Sequence, residues 1–223
     1  MISDYVIIVA GGLGSRMKND LPKQFVKISG KEIIVYAIEN FLQYNSSIHI
    51  IISVHKDYIS LLKEILKQHN LTGITITEGG ATRFESVKKG LALIKEPNAI
   101  IAIHDAARPL VSLQTIKNCF ETAGEKGNAI PAVPVTESIR QNVNGNNIYA
   151  DRNNYFIIQT PQCFLASKII KAFELPYSEK FTDDAAVLGA MGEKINLVKG
   201  NIENIKITHP KDLIIAKALL ENE

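Results

Sequence analysis

Tyr5-Val6-Ile7-Ile8-Val9-Ala10, running into Gly11-Gly12-Leu13-Gly14-Ser15-Arg16 and then Leu21-Pro22-Lys23-Gln24-Phe25, is the stretch that decides how the rest of the chain is read. The apolar run is short and β-branched, as expected of a buried strand in a parallel sheet. Gly11, Gly12 and Gly14 then withhold the Cβ atoms that keep a ligand away from backbone N–H groups, so an anion is expected at this turn. Two nucleotide-loop templates fail on spacing. The dinucleotide fingerprint needs a further glycine where Met17 stands, and the Walker loop needs Gly-Lys-Ser/Thr where Gly14-Ser15-Arg16 stands. What remains is a glycine-rich turn followed by two cations, Arg16 and Lys23, with Pro22 stiffening the segment that presents Lys23. A forked guanidinium beside a point-charge ammonium suits the oxygens of a polyphosphate.

Outward from this turn, helical and extended patterns alternate. Helical spacing covers Glu32 to Tyr44, Tyr58 to Gln68, Phe84 to Ile94 and the region around Ile116 to Ala123, while Ile48 to Val54, Ile74 to Thr77, Ala99 to Ile103 and Ala129 to Val133 read as strands. Repeated β-α-β units predict an α/β fold, a doubly wound, mostly parallel Rossmann-like sheet with helices on both faces. In such a sheet ligands bind beyond the carboxyl ends of the strands. The stretch 135–159 breaks the rhythm: Asn142-Val143-Asn144-Gly145-Asn146-Asn147 is rich in turn formers between β-capable flanks, which predicts a protruding hairpin arm. Tyr149, Tyr155, Phe156 and Ile157 on this arm have no evident core to join, so it either meets a partner subunit or folds back on its own sheet. Helices are expected over Ser167 to Leu175, Thr182 to Met191 and Pro210 to Leu220, and a strand near Ile195 to Val198.

With 223 residues, residues 1–223 are expected to form one domain carrying that arm. The net charge of +2, from 25 basic and 23 acidic side chains, excludes the global field of a nucleic-acid or membrane-surface protein, so anion binding has to be local. The first apolar run is too short to span a bilayer and carries Asp4, so a soluble cytoplasmic protein is expected. Cys119 and Cys163, the only 2 cysteines, form no metal-ligand pattern and read as reduced packing residues.

Two further polar motifs fall at strand ends. Gly79-Gly80-Ala81-Thr82-Arg83-Phe84-Glu85-Ser86 links a strand to a helix, so its backbone groups and the Ser86 hydroxyl are placed either to read a flat base or simply to cap the helix. His104-Asp105-Ala106-Ala107-Arg108-Pro109 forms a polar shelf, with Arg108 expected to pair with Asp105 or a carbonyl and His104 expected to be a hydrogen-bonded structural residue. Read by themselves, Thr182 and Asp183 are a helix N-cap and Lys206 a solvated lysine.

The string Ala10-Gly11-Gly12-x-Gly14-x-Arg16-Met17 with Pro22-Lys23-Gln24-Phe25 resembles the signature loop of the sugar-phosphate nucleotidyltransferases. Within them it is most similar to the cytidylyltransferases that act on methylerythritol phosphate or ribitol phosphate. The shelf at His104 to Pro109 matches that group's diagnostic motif, and Asp151-Arg152, Gln159-Thr160-Pro161-Gln162, Thr182-Asp183-Asp184-Ala185 and Asn204-Ile205-Lys206-Ile207-Thr208 match others in order, so the resemblance covers nearly the whole chain. The shelf and the Asn204 to Thr208 string look closer to the methylerythritol branch. The resemblance implies transfer of CMP from CTP to a sugar-alcohol phosphate, with Mg²⁺, with nucleotide binding at Ala10, Gly11, Gly12, Gly14, Gly79, Gly80 and Ser86, and with cytosine against the Gly79 to Ser86 loop and the backbone near Ala10 and Gly11. It implies catalytic roles for Arg16, Lys23, Arg152 and Lys206, with Arg152 reaching in from a neighbouring subunit's arm. Acceptor contacts are implied at Asp105, Ser138, Thr160 and Thr182, and metal contact at Asp105. Ala81 stands where some relatives carry Asp, and Glu137-Ser138 where many carry Asp-Thr. A silent nucleotide-binding scaffold would be signalled by loss of Arg16 or Lys23, and both are present; a nicotinamide dehydrogenase is disfavoured by Met17.

Overall fold

Val6, Ile7 and Ile8 are all buried to 0% exposure because β1 (Asp4–Ala10) runs through the middle of a sheet whose two faces are both covered by helices. The computed structural model describes residues 3–12 and 21–221. After β1 come a small antiparallel hairpin, β2 (Lys27–Ile28) and β3 (Lys31–Glu32), then α1 (Ile33–Tyr44), β4 (His49–Val54), α2 (Ile59–Gln68), β5 (Thr75–Glu78) and α3 (Arg83–Leu91). The chain continues through β6 (Ile100–Asp105), α4 (Leu113–Lys126), β7 (Asn128–Pro134), β8 (Ile139–Val143), β9 (Asn146–Ala150), β10 (Phe156–Ile158) and β11 (Gln162–Leu165). It ends with α5 (Ala166–Ala172), α6 (Asp184–Gly189), β12 (Leu197–Lys199) and α7 (Pro210–Leu220).

In the central sheet β5, β4, β1 and β6 lie side by side and parallel, β11 runs antiparallel between β6 and β7, and β12 is parallel to β7. Alternation of side chains sorts the core into two layers. Val6, Ile8, Ile50 and Ile52 pack under α1, α2 and α4 through Ile38, Phe41, Leu62 and Phe120. Ile7, Ile51, Ile101 and Ile103 pack under α3, α5 and α6 through Val87, Ile169 and Leu188. A third cluster, Ile28, Ile33, Leu110, Ile207 and Ala216, seats α7 against β2 and fixes the segment just before it. Both free cysteines are buried, as expected of packing residues.

Three features depart from the sequence expectations. The arm was expected over 135–159, but only β8 and β9 stand apart as a separate two-stranded sheet; Phe156, Ile157 and Ile158 pair with Pro134, Val133 and Ala132 of β7. The second is β11, absent from the sequence reading, which follows the cis Thr160–Pro161 peptide and inserts one antiparallel strand into the parallel set. The predicted helices near Ser167 and Thr182 are shorter than expected, at Ala166–Ala172 and Asp184–Gly189. Among the described residues no helix is long and apolar enough to cross a membrane.

Candidate active site

β1 has β4 on one side and β6 on the other; the chain runs from β1 outward through β4 to β5 and returns by α3, across the face opposite to α1, α2 and α4, to β6, so a crevice opens at the carboxyl ends where the strand order reverses. It is a cleft of about 1000 Å³. Ala10, Gly11 and Gly12 form its floor, Gly79, Gly80 and Ser86 one wall, and Lys23, Asp105 and Lys206 the other. Those nine expected site residues are therefore brought together. Gly14 and Arg16 lie outside the described residues.

The wall at Gly79 is built by its own helix. Thr82 and Glu85 make a capping box at the start of α3, with Glu85 N–H donating to Thr82 Oγ1 (3.1 Å) and Thr82 N–H donating to Glu85 Oε2 (3.2 Å). The backbone at Gly80 runs so close to Glu85 that a Cβ there would lie 2.2 Å from Glu85 Cβ. Ser86 accepts from Gly80 N–H (3.0 Å) and donates to the Thr82 carbonyl (2.9 Å), so its hydroxyl organises the loop before it meets any ligand. A Cβ on either Gly11 or Gly79 would come within 3.1 Å of Ser86 Oγ, which places this hydroxyl between the two glycine segments.

Lys23 follows Pro22 on a single 3-10 turn, and its Nζ donates to the Ile207 carbonyl at 2.7 Å. That bond ties the first cation to the segment carrying Lys206. Gln24, buried to 3% exposure, donates to the Ala10 and Gly12 carbonyls at 2.7 and 3.1 Å and pins the Lys23 turn to the glycine loop. Gln24 was quoted in the sequence motif without a role; its position directly after a lysine gave no signal of one.

Asp105 is the hub of the opposite wall. Its carboxylate meets Lys206 Nζ at 2.8 Å, Arg83 Nε at 3.3 Å and Arg108 Nε at 3.6 Å. Burial alone would push this carboxyl up, but Arg83, Lys206 and Arg108 together hold it well below the usual carboxylate range. Arg83 also makes a bidentate pair with Asp184, two bonds of 2.7 Å to a carboxylate buried at the start of α6. The sequence reading missed Arg83, since its partners lie 22 and 101 residues away. Arg108 behaves as expected, pairing with Asp105 and donating to the Asn204 carbonyl at 2.7 Å.

His104 is structural. Burial lowers its imidazole to about 4, so it is neutral at pH 7. Thr160 Oγ1 accepts the Asp105 N–H (3.1 Å) and so donates its own proton to His104 Nδ1 (3.1 Å), leaving His104 Nε2–H to donate to the Arg108 carbonyl (3.0 Å). Thr160, expected among the acceptor contacts, thus sits buried behind Asp105 with its hydroxyl engaged. Ser138, Thr182 and Arg152 are exposed and lie outside the cleft wall. Ser138 precedes β8, Thr182 precedes the Asp183 cap of α6, and the Arg152 guanidinium donates to the Thr136 carbonyl at the base of the hairpin.

Asp105, the expected metal contact, is paired with cations of the chain itself. Three cations already share its two oxygens, and among the described residues no group of three or more His, Cys, Asp or Glu side chains could hold an ion.

The fold is that of an α/β nucleotidyltransferase: a crystal structure described as 4-diphosphocytidyl-2C-methyl-D-erythritol synthase from Anaerococcus prevotii matches with TM-score 0.86 and 26% identity, covering 99% of this chain and 96% of that one. A family model described as 2-C-methyl-D-erythritol 4-phosphate cytidylyltransferase matches residues 5–222, and the chain belongs to that family. A cytidylyltransferase so named from Azobacteroides pseudotrichonymphae is 43% identical over 226 residues, covering 99% of this chain and 100% of the relative. One from Bacteroides thetaiotaomicron is 40% identical over 216 residues, covering 96% and 98%.

Proposed function

We propose that this chain transfers CMP from CTP to 2-C-methyl-D-erythritol 4-phosphate, giving 4-diphosphocytidyl-2-C-methyl-D-erythritol and pyrophosphate for isoprenoid biosynthesis. The observation that carries the reading is the convergence of Lys23, Lys206 and the Asp105 hub on one cleft with the Gly79 to Ser86 loop. An oxygen of the acceptor phosphate attacks the α-phosphorus of CTP, and the bond from that phosphorus to the β-phosphate oxygen breaks. A phosphomonoester with a second pKa of about 6 is already anionic at neutral pH, so no general base is required. That agrees with a site whose one buried histidine is neutral with both ring nitrogens hydrogen-bonded.

Catalysis is then placement and charge neutralisation. Lys23, held by the Ile207 carbonyl, faces the charge that grows on the departing pyrophosphate, with Arg16 proposed beside it. Lys206 exchanges its contact with Asp105 for the acceptor phosphate, and Asp105, kept ionised, turns to the acceptor hydroxyls. Mg²⁺ enters the proposal only as a counter-ion carried by the triphosphate. We assign Arg152 to the acceptor phosphate of a second subunit, with the exposed Ile148 and Tyr149 of the β8–β9 hairpin as part of a homodimer contact. Incubation with CTP and Mg²⁺ plus either methylerythritol phosphate or ribitol phosphate, with pyrophosphate measured, tests the function: release with the first acceptor is expected, and release with neither, or with ribitol phosphate alone, would overturn it.

A further inference from the structure

The Gly79 to Ser86 loop faces the cleft with its donors engaged. Gly79 N–H donates to the Val54 carbonyl (2.7 Å), Gly80 N–H to Ser86 Oγ (3.0 Å), and Ala81 and Thr82 N–H to Glu85 Oε2 (2.7 and 3.2 Å). The Ser86 O–H donates to the Thr82 carbonyl, and the Arg83 guanidinium is turned to Asp105 and Asp184. The loop backbone therefore offers a base acceptors. An acceptor surface welcomes the exocyclic amino group of cytosine and repels the O4 of uracil.

Lys89 works against that preference. It lies one turn beyond Ser86 on α3, lines the cleft, and donates from Nζ to the Gly79 carbonyl at 2.9 Å. Glu78, at 3.9 Å and 56% exposed, holds it only loosely. An ammonium carries three N–H donors, so it can keep the Gly79 carbonyl and take a keto oxygen at the same time. An acceptor-to-acceptor clash then becomes a bridge. We propose that Lys89 is a specificity-determining residue that narrows the margin by which CTP is preferred to UTP, an inference that rests on the reading of this cleft as a cytidylyltransferase site.

The test compares kcat/KM for CTP and for UTP, by pyrophosphate release, in the full chain, in Lys89→Met and in Lys89→Arg. In Lys89→Met the efficiency with UTP should fall about tenfold more than that with CTP, because a carbonyl is left facing O4 without a donor. Lys89→Arg, which keeps donors at the position, should hold the wild-type ratio. A CTP to UTP ratio in Lys89→Met that stays within about twofold of wild type, or that falls, overturns the proposal, because a purely structural lysine would lower both nucleotides together. A wild-type enzyme that leaves UTP untouched overturns it as well. If the wild type turned over neither nucleotide, the functional reading itself would fail. The ratio of CTP and UTP dissociation constants by calorimetry would then decide the role of Lys89 on the same criteria.

Discussion

Arg83→Met is the substitution that asks most of the site's architecture. The guanidinium holds Asp184 through two 2.7 Å bonds and reaches Asp105 at 3.3 Å, and the Asp184 side chain is only 1% exposed. Removing one partner of such a buried pair strands a carboxylate away from water, a loss on the order of 3 to 5 kcal/mol. Urea unfolding at pH 7 should show that loss for Arg83→Met and a smaller one for Asp184→Asn. The double variant should lose less than the two singles combined, with a coupling of about 1.5 kcal/mol or more. Acidity supplies a second readout. Burial already pushes the Asp184 carboxyl above its ordinary value, with the Arg83 guanidinium pulling it back. Without Arg83 the folded-state pKa rises further, so the deficit is full above that raised pKa and shrinks as pH falls toward the ordinary carboxylate range. An additive cycle, or a deficit of under about 1 kcal/mol that ignores pH, would refute the assignment of Arg83 as the strut between Asp184 and Asp105.

His104, lowered from 6.5 to about 4, refuses a proton that the unfolded chain accepts, so its contribution of about 3 kcal/mol is complete above pH 6.5 and lost as pH falls toward 4. His104→Gln should therefore show a flatter stability profile over that interval, and equal slopes in urea titrations would count against the neutral, buried assignment. Gly80→Ala forces a methyl group to within 2.2 Å of Glu85 Cβ, so it should weaken CTP binding at least tenfold in calorimetry by opening the capping box; unchanged affinity would mean that the loop is not part of the base site. Lys23→Ala should lower kcat by about two orders of magnitude with folding intact, since its contact strengthens as charge develops. Mixing that protein with Arg152→Ala should restore activity in exchanged heterodimers, and silence after verified exchange would remove Arg152 from the neighbouring site.

Sequence pattern revealed the fold where one period ruled a whole element. β1, α1 and β4 fall within a residue of their expected ends because their apolar positions repeat without interruption. β11 was hidden because Gln162 and Cys163 follow Thr160-Pro161 and face the buried interval between β6 and β7, a long-range pairing with no local signature. The arm was drawn too long for a related reason: Phe156 and Ile157 look like free-standing β residues, yet β7 has an open edge for them. Glycine turns and strand-end motifs located the cleft, because a backbone that must approach a ligand leaves glycines in the sequence. The charge relay from Lys206 through Asp105 and Arg83 to Asp184 was not visible, since four side chains on four separated segments carry no spacing rule.

The cleft wall also bears on how a ligand arrives. Among the described residues lining it, six Lys and Arg side chains stand against Glu78, Glu85 and Asp105, an excess of three positive charges in a chain whose net charge is +2. The rest of the chain therefore sums to −1, and the attraction felt by a triphosphate converges on this opening. Low-dielectric walls focus such a field and speed the encounter of an anion over a neutral ligand of the same size. Screening works over about 10 Å at 0.1 M salt, so added salt should slow association of the nucleotide far more than its dissociation.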